Sequence, residues 1–326
     1  MKLFRLAILL SYVVVVTACQ STSPSEAQAL TPIVNEVPTD TIYRQLRSDQ
    51  PQDRIEALQL LAKQPDDAKK SISLILALLG DDRQVDITHY VGSGFYKGQT
   101  SSPAEKAAEL LAKLGRWSVL PLRLRLHDNN PVVRRYAVRA LGIIADPEYA
   151  AWLLQALADT NANVSKEAYA ALLKQDPQVY VKLIDKLDIS QWSVSRQILL
   201  IQLLGNSQHG DALPALSRFV DDTNPVIRSA SFAALAKFTE ANIQNLVLRG
   251  MKDSDSRVSQ NALLLAPQHN SQVVLAEVFT LLTSDSVEVR QTVLEVLPIM
   301  TNEKPRSIEA WQKWWHARSA GQPKLH

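Results

Sequence analysis

The sequence predicts an all-α fold, a solenoid of about eight stacked helix pairs, from three observations. A short motif returns about every 31 residues, apolar positions inside each return fall at helical spacing, and no stretch alternates with period two long enough to make a sheet. The branched apolar residue of the motif sits at Val133, Val164, Val194, Ile227, Val258 and Val289, in steps of 31, 30, 33, 31 and 31. A period of this size means stacked units, each too small to bury its own apolar stripe.

Asn130 to Leu157 is the best-preserved unit. Asp128 and Asn129 supply turn and N-cap chemistry, and Pro131 suits a first helical position. Val133, Ala137, Ala140, Leu141 and Ile144 then recur at helical spacing. Asp146-Pro147 stops this helix and starts a second, whose stripe is Ala150, Leu153, Leu154 and Leu157. Ala137, Ala168, Ala230 and Ala262 recur at one place, where a small side chain lets helices approach.

The same reading predicts pairs along the rest of the chain. Gln52–Lys63 pairs with Lys70–Leu79, and Pro103–Leu114 with Ser118–Leu126. Four pairs run from Pro131 to Met251. Val258–Leu265 pairs with Val273–Leu282 and Val287–Met300 with Ile308–Arg318, and a fragment helix is expected at Thr41–Arg47.

These residues resemble the HEAT-repeat family in its short bacterial form, related to that of the phycobilisome lyases. Asp128, Pro131, Val133-Arg134, Ala137 and Leu141-Gly142 match its pattern, and Asp222, Pro225, Ile227-Arg228 and Ala230 or Ala234-Leu235 nearly so. The resemblance covers roughly residues 45–318 and implies a right-handed α-solenoid whose second helices line a concave face. It also implies a ladder of Asp–Arg contacts along the stack. Ser165, Ser195 and Ser259 stand where the family has Arg, so the ladder should be interrupted.

The N-terminus reads as an address. Lys2 and Arg5 precede the apolar run Leu6–Val16, which is too short for the roughly 20 residues that span a bilayer. Val16-Thr17-Ala18-Cys19 resembles the lipobox of bacterial lipoproteins, and Cys19 is the only cysteine. The resemblance implies cleavage before Cys19 and acylation of its thiol, which would anchor the chain to a membrane. Gln20 is not the Asp that retains such proteins in the inner membrane, so the expected location is the periplasmic face of the outer membrane. The expected organisation is a signal peptide at 1–18, a lipidated cysteine and flexible tether at 19–40, the solenoid at 41–318 with a loop insertion at 80–102, and a tail at 319–326.

Composition narrows the partners. Lysine plus arginine number 35 and acidic residues 33, and removal of Lys2 and Arg5 leaves 33 of each sign. A near-neutral protein has no global reason to bind nucleic acid or an anionic surface. No two of the six histidines lie three or four residues apart, and no phosphate loop or nucleophile motif occurs. Asp81, Asp82 and Asp86 with His89 offer metal-ligand chemistry at a spacing that matches no loop motif. No catalytic residue, metal or cofactor is therefore expected. Trp311, Trp314 and Trp315 share one helix face just after the last repeat, where a stack needs a cap.

Two regions are candidates for binding. The 80–102 stretch is long for a helix connection and carries Tyr90, Phe95 and Tyr96 among glycines. The second helices offer Arg125, Trp152, Gln155, Lys182, Lys186, Arg218, Arg249 and Glu277 at outward positions, with Leu153, Leu183, Leu216, Val247 and Val278 inward. The expectation is a non-enzymatic, membrane-anchored scaffold that binds another envelope protein. A cell-wall glycan binder and an accessory subunit of an enzyme are the alternatives. Bilin lyases and certain DNA glycosylases also use such repeats, but an export signal and a neutral mature chain argue against both.

Overall fold

The computed structural model describes residues 39–87, 100–184, 187–239 and 242–319. Contacts divide the chain between Val37 and Pro38, and all described residues belong to the second unit. Cys19 and its flanks lie outside them.

Eighteen α-helices occur among the described residues, and they form the pairs that the period predicts. α1 (Thr39–Leu46) precedes the first pair, in which α2 (Pro51–Leu61) is answered by the short α3 (Pro65–Lys70) and α4 (Ile72–Ala77). The next three pairs are α5 (Pro103–Leu114) with α6 (Arg116–Arg125), α7 (Pro131–Ile144) with α8 (Ala150–Leu157), and α9 (Ala162–Leu172) with α10 (Pro177–Ile184). α11 (Val194–Ser207) with α12 (Leu213–Phe219) and α13 (Pro225–Leu235) with α14 (Gln244–Met251) follow. α15 (Ser256–Leu263) with α16 (Gln272–Thr280) and α17 (Val287–Thr301) with α18 (Ile308–Ser319) complete the eight. Among the described residues the one departure from helices and their connections is a two-residue antiparallel ladder, β1 (Val85–Asp86) with β2 (Thr100–Ser101), at the base of the 80–102 insertion. None of the described helices is long and apolar enough to cross a membrane.

First helices pack against first helices, α5 on α7, α7 on α9, α11 on α13, α13 on α15 and α15 on α17. Their seams are lined by small side chains. A methyl group at Gly142 would stand 2.6 Å from Cβ of Ala171, and one at Gly205 would stand 2.8 Å from Cβ of Ala234. Ala137, Ala168 and Ala262 are buried at the expected recurrent position, but in α13 that position is held by Ser231 rather than Ala230. Ser231 is tolerated there because its hydroxyl donates to the Ile227 carbonyl at 2.8 Å.

The caps correct the register. Asn130, not Asn129, caps α7 by accepting from the Val132 N–H, while Asp128 accepts from the Asn130 N–H at 2.9 Å. Ser193 stands at the N-cap position of α11, without a side-chain cap bond, which puts Arg196 at the position expected for Val194, whose side chain is exposed. The residue four past each cap is Arg54, Arg134, Ser165, Gln197, Arg228, Ser259 and Arg290, so Gln197 and not Ser195 takes the arginine's place.

This position holds the ladder. Arg134 makes two bonds to Asp159, at 2.7 and 2.9 Å, and Arg228 makes two to Asp253, at 2.7 and 2.8 Å. Arg54 reaches Asp81 at 2.6 Å. Each of these aspartates lies in the turn that leads into the next unit, so each pair joins neighbours. Where serine interrupts the ladder, part of the contact survives. Ser165 donates to the Asp159 carbonyl at 2.9 Å, the same six-back carbonyl contact that Arg134 makes to Asp128. Arg139 adds a second tie, bridging Glu105 of α5 and Glu167 of α9 at 2.8 and 2.9 Å.

Burial pushes the Asp159 carboxyl up, but bonds from Arg134 and the Asn161 N–H outweigh it and hold it below its ordinary 3.8. The Arg228 bond does the same for Asp253. A depressed aspartate contributes stability that is present above its unfolded value and lost as pH falls through its folded value. Arg134→Ala and Arg228→Ala should therefore each cost about 1.5–3 kcal/mol at pH 7, and the cost should shrink below about pH 4, measured by urea unfolding across pH. At the seam, Gly205→Ala should cost about 1–3 kcal/mol through overpacking. Gly210→Ala, where a methyl group meets nothing within 4 Å, serves as its control in thermal unfolding.

Candidate functional site

The 80–102 insertion is anchored at both ends. Val85 and Ile87 are buried against Ile55 of α2, and Val85 pairs with Ser101 across the ladder. Tyr90, Phe95 and Tyr96 lie outside the described residues. Asp81 is not a metal ligand in waiting, because Arg54 and Arg83 hold its two oxygens at 2.6 and 2.7 Å. Among the described residues no group of three or more His, Cys, Asp or Glu is placed to hold a metal ion.

The second helices carry most of the outward positions expected of them. Trp152 is half-buried, while Lys182, Arg218, Arg249 and Gln155 are exposed. Lys186 lies outside the described residues. The face is less basic than its sequence implies, because acids answer several cations. Arg249 meets Asp221 at 3.1 Å, Lys252 meets Glu277 at 3.0 Å, and Arg125 meets Asp128 at 3.2 Å. One inward position moves as well. Leu183 is only half-buried, and Tyr180, Val181 and Ile184 form the core of α10 instead. Burial pushes the Tyr180 phenol up to about 12.

Trp152 is held by two neighbours. It stacks on Tyr149 with ring centres 5.1 Å apart and planes within 6°, and the Arg123 guanidinium lies 4.9 Å over its ring. Arg123 comes from α6 and Trp152 from α8, so the stack joins two units. Arginine, tryptophan and tyrosine held rigidly at a surface are the side chains that dominate protein interfaces.

α6 adds a feature that the sequence reading missed. Ser118 and Leu122 are buried, and the Ser118 hydroxyl donates to the Leu111 carbonyl at 2.6 Å. The opposite side of the helix presents Trp117, Leu120 and Leu124, which are 52%, 64% and 70% exposed. Gly115, at φ +54°, is the single residue between α5 and α6 and makes the reversal that aims α6 this way. The missed signal was an excess of apolar positions. Val119 and Leu122 already supply an inward stripe, and Trp117, Leu120 and Leu124 make a second one interleaved with arginines.

The C-terminal tryptophans are packing. Trp311 is 1% exposed, and Phe279 lies 4.4 Å from the Trp315 ring and 5.8 Å from that of Trp314, nearly parallel to both. They cover α16, as a cap must.

Residues 102–174 and 119–198 match the family model described as HEAT repeats. Residues 102–198 are HEAT repeats. The same helix pair continues on both sides of that segment, and solved structures show the fold over most of the chain. Kap121p bound to Nup53p is 13% identical, with a TM-score of 0.52, over 87% of this chain and 36% of Kap121p. Kap121p bound to Pho4p is 12% identical, with a TM-score of 0.50, over the same shares of each chain. YibA of E. coli is 13% identical over 87% of this chain and all of its own, with a TM-score of 0.41. No curated protein matches the sequence.

The two kinds of tryptophan should separate in unfolding experiments. Trp311→Ala should cost about 3–5 kcal/mol. Trp117→Ala, which removes a surface ring with Arg116 at 5.3 Å and Lys69 at 5.7 Å, should cost no more than about 1 kcal/mol.

Proposed function

We propose that the protein is a non-enzymatic scaffold of the bacterial cell envelope, held at a membrane by lipid on Cys19, that binds another envelope protein on its second-helix face. The observation that carries the reading is the Arg123–Trp152–Tyr149 stack. It is preorganised, so little side-chain freedom is lost when a partner docks on it. Lys182, Arg218 and Arg249 extend the same face across later units and give a partner charge to read. Kap121p, of similar fold, is a precedent for such a solenoid holding a protein, since it is bound to Nup53p in one structure and to Pho4p in another.

The address rests on the sequence alone. The positive start, the short apolar run and Val16-Thr17-Ala18-Cys19 support an exported lipoprotein, and Gln20 supports the outer membrane. Tyr90, Phe95 and Tyr96 of the insertion are a second contact point in this reading.

Affinity purification of the detergent-solubilised native protein, with mass spectrometry of lipid and partners, tests both parts. Acylated Cys19 and one reproducible envelope protein are expected. Recovery of that protein should fall about tenfold or more with Trp152→Ala, or with Lys182→Glu and Arg218→Glu together. Undiminished recovery by all of these variants would sink the second-helix face, and an unmodified Cys19 on an intact N-terminus would sink the address.

A further inference from the structure

The exposed side of α6 has the chemistry of a membrane-surface contact. Trp117, Leu120 and Leu124 stand at positions i, i+3 and i+7, in one row about two turns long. They are three large apolar side chains, each more than half exposed, on one face of one helix, whereas the other exposed apolar side chains, such as Leu173, Leu264 and Ile299, come from different helices or turns. At 100° per residue, Arg116 and Arg123 fall on one flank of this row and Arg125 on the other.

Charge distinguishes α6 from the second helices that follow it. It carries Arg116, Arg123 and Arg125 and no acid, whereas α8, α10, α12 and α14 also lack acids but carry at most one cation each. Arg249 and Lys252, farther along the same face, are answered by Asp221 and Glu277. Arg116 and Arg123 have no carboxylate partner among the described residues and instead lie against the rings of Trp117 and Trp152. Arg125 is paired with Asp128 at 3.2 Å, and Lys69, which lies over the Trp117 ring, is paired with Asp66 at 2.9 Å. The result is an apolar ridge with a cationic border.

We infer that this ridge seats the solenoid on an anionic phospholipid surface. Leu120 and Leu124 would enter the boundary between headgroups and acyl chains, Trp117 would lie at that boundary, and Arg116 and Arg123 would meet lipid phosphates. A bilayer suits the feature better than a folded partner does. The ridge stands out from one helix, with its three side chains more than half exposed, and a fluid surface closes around it without matching its shape. The inference does not depend on Cys19 or on a protein partner, although Arg123 also belongs to the stack with Trp152. A lipid anchor, if present, would raise the local concentration of the ridge at the membrane.

The unit from Pro38 to His326 has its own core and can be tested without the anchor. It is mixed with vesicles of phosphatidylglycerol and phosphatidylethanolamine, or of phosphatidylcholine alone, and bound protein is measured by sedimentation. Binding to the anionic vesicles, weakened by salt and by their replacement with phosphatidylcholine, is expected. Leu120→Ser with Leu124→Ser should lower partition at least about tenfold. Arg116→Gln with Arg123→Gln should lower it by about fivefold per arginine. These positions are at the surface, so an unchanged melting temperature checks that each variant is folded. No binding of the parent unit to anionic vesicles overturns the inference, and so does equal binding by the Leu120→Ser, Leu124→Ser variant. If that variant instead loses a purified protein partner while vesicles leave the parent unbound, the ridge is a protein site and the lipid reading is wrong.

Discussion

Everything in this stack depends on how closely one first helix can approach the next. A helix pair of about 31 residues has too little interior to cover its own leucines, so its neighbour must do so. The approach is set by what stands at the seam, and there the chain places Gly142 against Ala171, Gly205 against Ala234, and alanine at 137, 168 and 262. Close contact removes the leucines from water and gains dispersion contacts that a wider gap would forfeit. Charged groups then fix the turns. The Arg134–Asp159 and Arg228–Asp253 pairs are mostly buried and doubly bonded, so they orient one turn against the next as well as attracting it.

The same division explains what could be read from the sequence. The seam and the caps are local and periodic, and all eight pairs were legible from spacing alone. What failed was register within a pair. Val194 looks like the branched residue of the motif, but the helix starts just after Ser193, so Arg196 holds that position. Ala230 has the right size for the seam, while Ser231 is the residue that points there. A shift of one or two residues leaves the average pattern nearly unchanged and turns each side chain by 100° per residue. Leu183 of α10 shows the same thing, since only the packing of Tyr180 and Ile184 decides which face is inward.

The candidate surface was partly legible. Trp152, Lys182, Arg218 and Arg249 stand outward as expected, but the ion pairs of Arg249 and of its neighbour Lys252 were not visible, because Asp221 and Glu277 lie more than 20 residues away in sequence. The α6 ridge was hidden for the opposite reason. Trp117, Leu120 and Leu124 have the spacing of a core stripe, and nothing local distinguishes a stripe that is covered from one that is not. The insertion that interrupts the period lies just before α5, so it and the α6 ridge belong to the same end of the stack.

Charged ties are distributed unevenly along the stack. Arg54–Asp81, Arg139 with Glu105 and Glu167, and Arg134–Asp159 lace the first four pairs into one run. At the next junction Ser165 ends the ladder, and Gln197 turns back to the Trp192 carbonyl of its own unit at 3.0 Å. The α9–α11 junction keeps a hydrogen bond from Asn206 to the Tyr169 hydroxyl, and the lacing resumes at Arg228. Among the described residues, the α9–α11 junction is held by that neutral hydrogen bond and by the longer-range attraction between Asp159 and Arg196 rather than by a doubly bonded ion pair. A load borne by the stack, whether tension from a tether or torque from a docked partner, would bear first on that junction.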